Sequence, residues 1–206
     1  MNGVSVFMRG FCSMLKQTAA TDRLFVACEL DDAARAHLGP QAVALGHALG
    51  GAPVPAANLH MTLVFLGATP ASELEAIHAA LRRTCRNLPP ARTRQLATAG
   101  TPGRRASRIV AAVFEDPGDR FAMMATTIAA ALAVRWPLTP VLMPFWPHVT
   151  LVRLRAPEPV RTISAQSEQT FAFDRVTLYA SRSTPSGPAR YDPLTRIALT
   201  ANDRPH

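Results

Sequence analysis

Residues 60–66 read His-Met-Thr-Leu-Val-Phe-Leu, and a near-copy, His-Val-Thr-Leu-Val-Arg, occupies residues 148–153. Each copy predicts a β-strand, because β-branched and large apolar side chains suit a pleated, half-buried surface. Side chains alternate between the two faces of a strand, so His60 and Thr62 should share one face, as should His148 and Thr150. Two imidazoles and two hydroxyls in matched pairs suit acid–base chemistry on a small anionic group, and a phosphodiester is the best candidate.

The hydrophobic pattern predicts further strands and helices around the two copies. Their order is β-α-β-α-β-β-α-β, followed by a loop and two more strands, with helices over about residues 33–49, 69–87 and 116–134. Thr69 is expected to cap the second helix. A β-α-β-α half followed by a β-β-α-β half predicts an α+β fold. It would have two pseudo-symmetric lobes of antiparallel sheet with outer helices, and a central cleft that carries one His-x-Thr motif from each lobe.

The length and composition indicate one globular domain with a surplus of arginine. The chain has 206 residues, of which 48% are hydrophobic and 17% charged, and its formal net charge is +8. Lys16 is the only lysine, and the planar guanidinium fork of arginine matches phosphate oxygens well. A GC-rich coding sequence would produce the same bias. We expect residues 22–202 to form a single bilobal domain, a monomer, and residues 1–21 to be a disordered extension.

Several classes of protein have no support in the sequence. Three cysteines without a C-x-x-C spacing argue against a disulfide framework or a zinc site and fit a reducing cytoplasm. We expect no membrane span, no signal peptide and no metal or other cofactor. The other histidines make a poor metal set, because His37, His47 and His78 fall on predicted helices and His206 is terminal. A glycine-rich phosphate loop is also missing.

The paired motif and its surroundings resemble the 2H phosphoesterase superfamily, and within it the bacterial RNA 2′,3′-cyclic phosphodiesterases long called 2′-5′ RNA ligases. The resemblance covers about residues 22–200. The stretches that carry it are Arg-Leu-Phe-Val-Ala at 23–27, Asn-Leu-His-Met-Thr-Leu at 58–63, Pro-His-Val-Thr-Leu-Val-Arg at 147–153, Leu-Tyr-Ala-Ser at 178–181 and Arg-Tyr-Asp-Pro-Leu at 190–194.

The resemblance implies hydrolysis of RNA 2′,3′-cyclic phosphate ends, or of cyclic nucleotides, to 2′-phosphomonoesters without a metal. By analogy His148 is the proton acceptor and His60 the proton donor. The implied substrate-binding residues are Thr62, Thr150, Arg153 and Phe25. Arg153 follows His148 by an odd number of residues, so a regular strand would turn it to the opposite face, and it needs a bulge or the strand end to reach the site. Alanines at 111 and 112 replace the bulky residue common in relatives, which affects how the terminal base is held.

Three other functions stay open at this level. The first is a module that holds RNA ends without catalysis. The second is a superfamily member that acts on 2′,5′-linked oligonucleotides, ADP-ribose cyclic phosphate or a small cyclic nucleotide. The third is reversible 2′-5′ RNA ligation, in which a 5′-hydroxyl RNA replaces water.

Overall fold

The computed structural model describes residues 21–101, 105–138, 140–165, 168–183 and 189–200. The predicted N-terminal extension therefore lies, except for Thr21, outside the described residues, and the domain bounds stay a prediction. Secondary-structure elements follow in the order β1 (Thr21–Glu29), α1 (Asp32–Ala48), β2 (Ala52–Pro53), β3 (His60–Pro70), α2 (Leu74–Cys85), β4 (Ala91–Thr101), β5 (Ser107–Phe114), α3 (Arg120–Ala133), β6 (His148–Glu158), β7 (Ile163–Ser164), β8 (Thr170–Phe173), β9 (Arg175–Arg182) and β10 (Arg190–Ala198).

The strands form two antiparallel sheets, and each sheet contains one His-x-Thr strand. The first sheet has the order β10-β9-β1-β3, and the second has the order β2-β6-β5-β4-β7, with β8 paired to β4. Every paired strand in both sheets is antiparallel. The predicted α+β class is confirmed.

The two sheets do not correspond to the two halves of the chain, so that part of the prediction is wrong. Strands β9 and β10, from the C-terminal part, complete the sheet that β1 and β3 begin. Helix α1 packs against β6 of the second sheet, whereas α2 contacts β10 and α3 contacts β3 of the first. Antiparallel strands that pair can be far apart in sequence, because burial of an apolar face stabilises the pairing. The order of elements along the chain does not show which strands pair.

The core lies on the sheet faces opposite the motif histidines. Met61, Leu63, Val149 and Leu151 are all nearly or fully buried there, together with apolar residues of the helices. This is the alternation that the sequence predicted, with His and Thr on one side and apolar side chains on the other.

Of the three predicted helix starts, that of α1 agrees closely with the structure. Asp31 caps α1 by accepting a hydrogen bond from the Ala34 amide at 2.7 Å, as expected for a carboxylate at a helix N-terminus. Helix α3 begins at Arg120, four residues after the predicted start, and Asp116 accepts hydrogen bonds from the amides of Phe121 and Ala122 in its first turn at 2.7 and 3.0 Å. The predicted cap at Thr69 is wrong, because β3 continues to Pro70 and the Thr69 hydroxyl donates to the Gly67 carbonyl.

Within the described ranges, no helix combines the length and the apolar character needed to cross a lipid bilayer. The cytoplasmic location and the monomeric state stay predictions.

Candidate active site

His60 stands at the first residue of β3, and a local hydrogen bond orients its ring. Nδ1 lies 2.7 Å from the carbonyl oxygen of Asn58, two residues earlier. A carbonyl can only accept, so Nδ1 must carry the proton and the lone pair of the neutral ring is on Nε2. Asn58 is itself held by its side-chain amide, which donates to the Ala189 carbonyl at 2.9 Å. The anchor therefore uses Nδ1 and leaves the lone pair on Nε2.

His148 repeats this arrangement at the first residue of β6. Its Nδ1 donates to the carbonyl oxygen of Trp146, again two residues earlier, at 2.8 Å. The Trp146 ring also stacks on the imidazole, with centroids 4.3 Å apart and an angle of 24° between the planes. The two motif histidines thus share a tautomer and a backbone anchor. The pseudo-symmetry of the sequence extends to the hydrogen-bonding pattern of the rings.

An aromatic group packs around His60. The ring of Phe25 lies 4.8 Å from the imidazole centroid, and the ring of Tyr191 meets it edge-on at 5.2 Å. Phe25 in turn stacks on Tyr179 at 5.2 Å and lies 6.2 Å from Phe65. Only 4% of the Phe25 surface is exposed, compared with 52% for Phe65. Phe25 therefore packs against the His60 ring and is almost fully covered. Stacking of Phe25 on a nucleobase stays a prediction.

A β-bulge in each motif strand brings the sixth residue of the motif back to the histidine face. In β6, Thr150 pairs with Ala111 and Val152 pairs with Val110, so Leu151 has no partner on β5. In β3 the same break leaves Leu63 without a partner on β1. One extra residue reverses the alternation of all later side chains. Arg153 therefore lies on the same side as His148, and Phe65 on the same side as His60.

The two motif faces meet where β3 contacts β6. Arg153 reaches from the second sheet to the first, where its Nη2 donates to the Tyr191 hydroxyl at 3.4 Å. Tyr191 is the same residue whose ring touches His60. The structure therefore brings His60, His148 and Arg153 into one region between the sheets.

Burial lowers the pKa of both histidines, and neighbouring cations lower that of His60 further. For His60 the pKa falls from 6.5 to about 4, mainly through burial and further through the charges of Arg153, His148 and Arg35. For His148 burial lowers the pKa, and its hydrogen bond to Trp146 opposes that change. Without a ligand both rings are neutral at pH 7. An anion bound between them would reverse the effect of the cations and favour a protonated ring.

The two motif threonines are partly buried and occupy equivalent positions. Thr62 pairs with Ala27 on β1, and Thr150 pairs with Ala111 on β5. Neither hydroxyl hydrogen-bonds to another residue of the described ranges. Both are therefore suited to donate to an anion between the sheets.

The sequence reasoning missed three residues of this region, namely Phe65, Trp146 and Tyr191. A signal for Phe65 was present, because it occupies the position in the first copy that Arg153 occupies in the second. Trp146 and Tyr191 carry no comparable signal, since their roles depend on ring contacts made in the folded protein. Among the described residues no group of three or more His, Cys, Asp and Glu could hold a metal ion, and independence from metals stays a prediction.

Comparison with known proteins assigns the chain to a family. The family model for the 2′-5′ RNA ligase superfamily matches residues 30–185. The chain belongs to this superfamily. A protein from Thermus thermophilus named RNA 2′,3′-cyclic phosphodiesterase is 33% identical over 184 residues, which cover 86% of this chain and 90% of the relative. A protein of the same name from Escherichia coli is 36% identical over 150 residues, which cover 73% of this chain and 81% of the relative.

Solved structures of the superfamily show the same fold. The crystal structure of TT0787 from Thermus thermophilus has a TM-score of 0.74 at 31% identity, over 87% of this chain and 99% of that one. Escherichia coli LigT, crystallised with 3′-AMP, has a TM-score of 0.70 at 30% identity, over 88% of this chain and 99% of that one. The resemblance inferred from the paired motif is confirmed.

Proposed function

We propose that this protein hydrolyses the 2′,3′-cyclic phosphate end of an RNA to a 2′-phosphomonoester, with His148 as proton acceptor and His60 as proton donor. The observation that carries the proposal is the matched pair of imidazoles. Each is held through Nδ1 by a carbonyl two residues earlier, and the two lie at the meeting of β3 and β6. The family and the names of both relatives support RNA 2′,3′-cyclic phosphodiesterase activity.

The proposed reaction needs one water molecule and two proton transfers. Nε2 of His148 takes a proton from water as the water oxygen bonds to phosphorus. The bond from phosphorus to O3′ breaks, and Nε2 of His60 gives its proton to O3′. The products are a 3′-hydroxyl and a 2′-phosphomonoester. Proton exchange with solvent then returns each histidine to its starting state.

In this mechanism three side chains would stabilise the phosphate as its charge develops. The hydroxyls of Thr62 and Thr150 would donate to the nonbridging oxygens, one from each sheet. The guanidinium of Arg153 adds a fixed positive charge, whose benefit is large where water is partly excluded. Phe65, half exposed on the same face, offers a surface on which the terminal base can stack.

A cleavage assay in EDTA tests the proposal. Purified protein is incubated with an RNA that ends in 2′,3′-cyclic phosphate, and the 2′- and 3′-phosphate products are resolved. We expect rapid formation of the 2′-phosphate, its loss in His60→Ala and His148→Ala, and full activity in the control His47→Ala, which changes an exposed histidine on α1. RNA binding without turnover in the wild-type protein would instead favour a module that holds RNA ends.

A substrate with a good leaving group separates the two histidine roles. A linear nucleoside phosphodiester of 4-nitrophenol needs little help from a general acid, because nitrophenolate departs without a proton. We expect this substrate to restore turnover to His60→Ala and to leave His148→Ala inactive. Restoration in His148→Ala alone would mean that the roles are exchanged. Addition of a 5′-hydroxyl RNA to the RNA that ends in 2′,3′-cyclic phosphate measures ligation, in which the 5′-hydroxyl replaces water and O3′ leaves with a proton.

A further inference from the structure

Glu29, the last residue of β1, lies at the centre of a group of cations beside the candidate active site. It is the direct cross-strand partner of His60. Three arginines of the described ranges contact its carboxylate: Arg196 at 3.1 Å, Arg35 at 3.5 Å and Arg175 at 3.9 Å. The hydroxyl of Thr177 donates to the same carboxylate at 3.0 Å. We call these five residues the Glu29 cluster.

The cluster keeps a net positive charge, because three guanidiniums surround one carboxylate. Exposure divides its members into two groups. The side chains of Glu29 and Arg35 are 11% and 18% exposed, whereas those of Arg175 and Arg196 are 47% and 53% exposed. The covered carboxylate therefore holds two exposed guanidiniums in place. Arginines whose positions are fixed in this way lose less side-chain entropy on binding an anion than freely moving ones do.

The sheet register gives the direction from the cluster to the histidines. Thr62, Ala27, Thr177 and Arg196 are successive cross-strand partners on β3, β1, β9 and β10. Three strand spacings of about 4.8 Å separate Thr62 from Arg196, or about 14 Å. This separation is enough for the backbone of an RNA strand to continue from a phosphate held by Thr62 to Arg196.

We propose that Arg175 and Arg196, held by Glu29, bind backbone phosphates of the RNA that leads to the cyclic phosphate. The inference rests on the proposed function, because a cyclic phosphate at the histidines is the 3′ end of its strand, so the rest of the RNA must extend in the 5′ direction. The cluster then makes the protein select a polynucleotide end over a cyclic mononucleotide. The positive charge of Arg35 acts on His60, so the cluster lies close enough to the reacting region to influence it electrostatically.

The test compares two substrates and two variants. The substrates are a short RNA that ends in 2′,3′-cyclic phosphate and adenosine 2′,3′-cyclic phosphate. The test variant is the double substitution Arg175→Ala, Arg196→Ala. The control is Arg182→Ala on the same strand β9, because Arg182 is 52% exposed and pairs with Asp192 at 2.8 Å, much as Arg196 pairs with Glu29. Thermal unfolding of each variant establishes that it is folded.

In the double variant we expect kcat/KM for the short RNA to fall about tenfold, while kcat/KM for the mononucleotide stays within about twofold of the wild-type value. The slope of log kcat/KM against log salt for the RNA should become less steep by about 1.4, which corresponds to two lost phosphate contacts on a single strand. Arg182→Ala should match the wild-type protein with both substrates.

Two results would overturn the inference. Equal losses with both substrates would mean that the cluster only positions His60, and an unchanged salt slope would mean that it touches no phosphate. Binding of a fluorescent RNA that ends in a 2′-phosphate gives a readout that needs no turnover. If the wild-type protein turns over neither substrate, the proposed function fails, while a weaker RNA affinity in the double variant still supports the phosphate contacts.

Discussion

Raising the pH above 6.5 should reduce kcat/KM for a cyclic-phosphate RNA about tenfold per pH unit. The reason is the low pKa of His60, which burial and nearby cations bring to about 4. In the proposed mechanism His60 must be protonated to donate, and His148, whose pKa also lies below its usual value, must be neutral to accept. The free protein therefore has its highest kcat/KM between about pH 4 and pH 6.5, since kcat/KM reports on the unliganded state.

The bound substrate should change this profile by a calculable amount. At pH 7 about one free molecule in a thousand has a protonated His60, because the pKa lies three units below the pH. Half protonation in the complex requires the phosphate to raise that pKa by about 3 units, or about 4 kcal/mol. One negative charge about 4 Å from the imidazolium, at an effective dielectric constant of 20, supplies about 4 kcal/mol. The alkaline limb of kcat should therefore lie near pH 7, above that of kcat/KM.

The assay is a set of initial rates from pH 5 to pH 9 at constant ionic strength, with RNA far below and far above KM. Circular dichroism at each pH establishes that the protein stays folded. The diester phosphate itself does not titrate in this range, so both limbs belong to the protein. Identical profiles for kcat and kcat/KM, with an alkaline limb above pH 8, would refute the link between burial, a low pKa and proton donation by His60.

Three more predictions follow from the same region. Arg153→Gln should lower kcat/KM about a hundredfold through the loss of a fixed charge at the phosphate. It should also move the alkaline limb of kcat to higher pH, because Arg153 lowers the pKa of His60 and His60 sets that limb in the complex; a lower rate with an unmoved limb of kcat would contradict this. Phe65→Ala should lower kcat/KM about tenfold for RNA with a terminal purine, and Phe65→Tyr should retain it. Equal rates in both variants would exclude base stacking. Finally, the wild-type protein should lose about 2 kcal/mol of unfolding free energy between pH 7 and pH 4.5, as measured with urea. The unfolded chain takes up a proton at His60 near pH 6.5 and the folded one only near pH 4. His60→Gln should lose less, and an equal loss would disprove the contribution of His60.

The two His-x-Thr strands could be predicted because their information is local. Alternating polar and apolar residues specify a half-buried strand, and His followed by Thr two residues later places both on one face. The family also follows from these short stretches. The placement of each copy in a separate sheet agrees with that prediction.

The bulges could not be predicted from the alternation alone. A bulge depends on how two strands pair. The sequence of β3 or β6 alone does not show that Leu63 or Leu151 lacks a partner on the neighbouring strand. Arg153 follows His148 by an odd number of residues. The sequence therefore did show that the strand must contain an irregularity if Arg153 reaches the site. The same argument applied to the first copy would have found Phe65.

The distribution of the strands between the two sheets also could not be predicted from local sequence patterns. The predicted halves followed the order of elements along the chain, and each half has a plausible set of strands and a helix. The actual partners of β1 are β3 and β9, which are distant from each other in sequence. Their shared aromatic contacts, Phe25 with Phe65 on one side and Tyr179 on the other, exist only after both pairings form.

This position of β1 has a consequence for synthesis on the ribosome. A nascent chain that ends before β9 can pair β1 with β3, but the other edge of β1 stays uncovered. Uncovered strand edges invite intermolecular pairing, and contacts that span most of a chain form slowly. His60 likewise lacks Tyr191 until β10 has emerged. The first part of the polypeptide should therefore depend on chaperones or on rapid synthesis of β9, and the growing chain should acquire activity only after β10 has emerged.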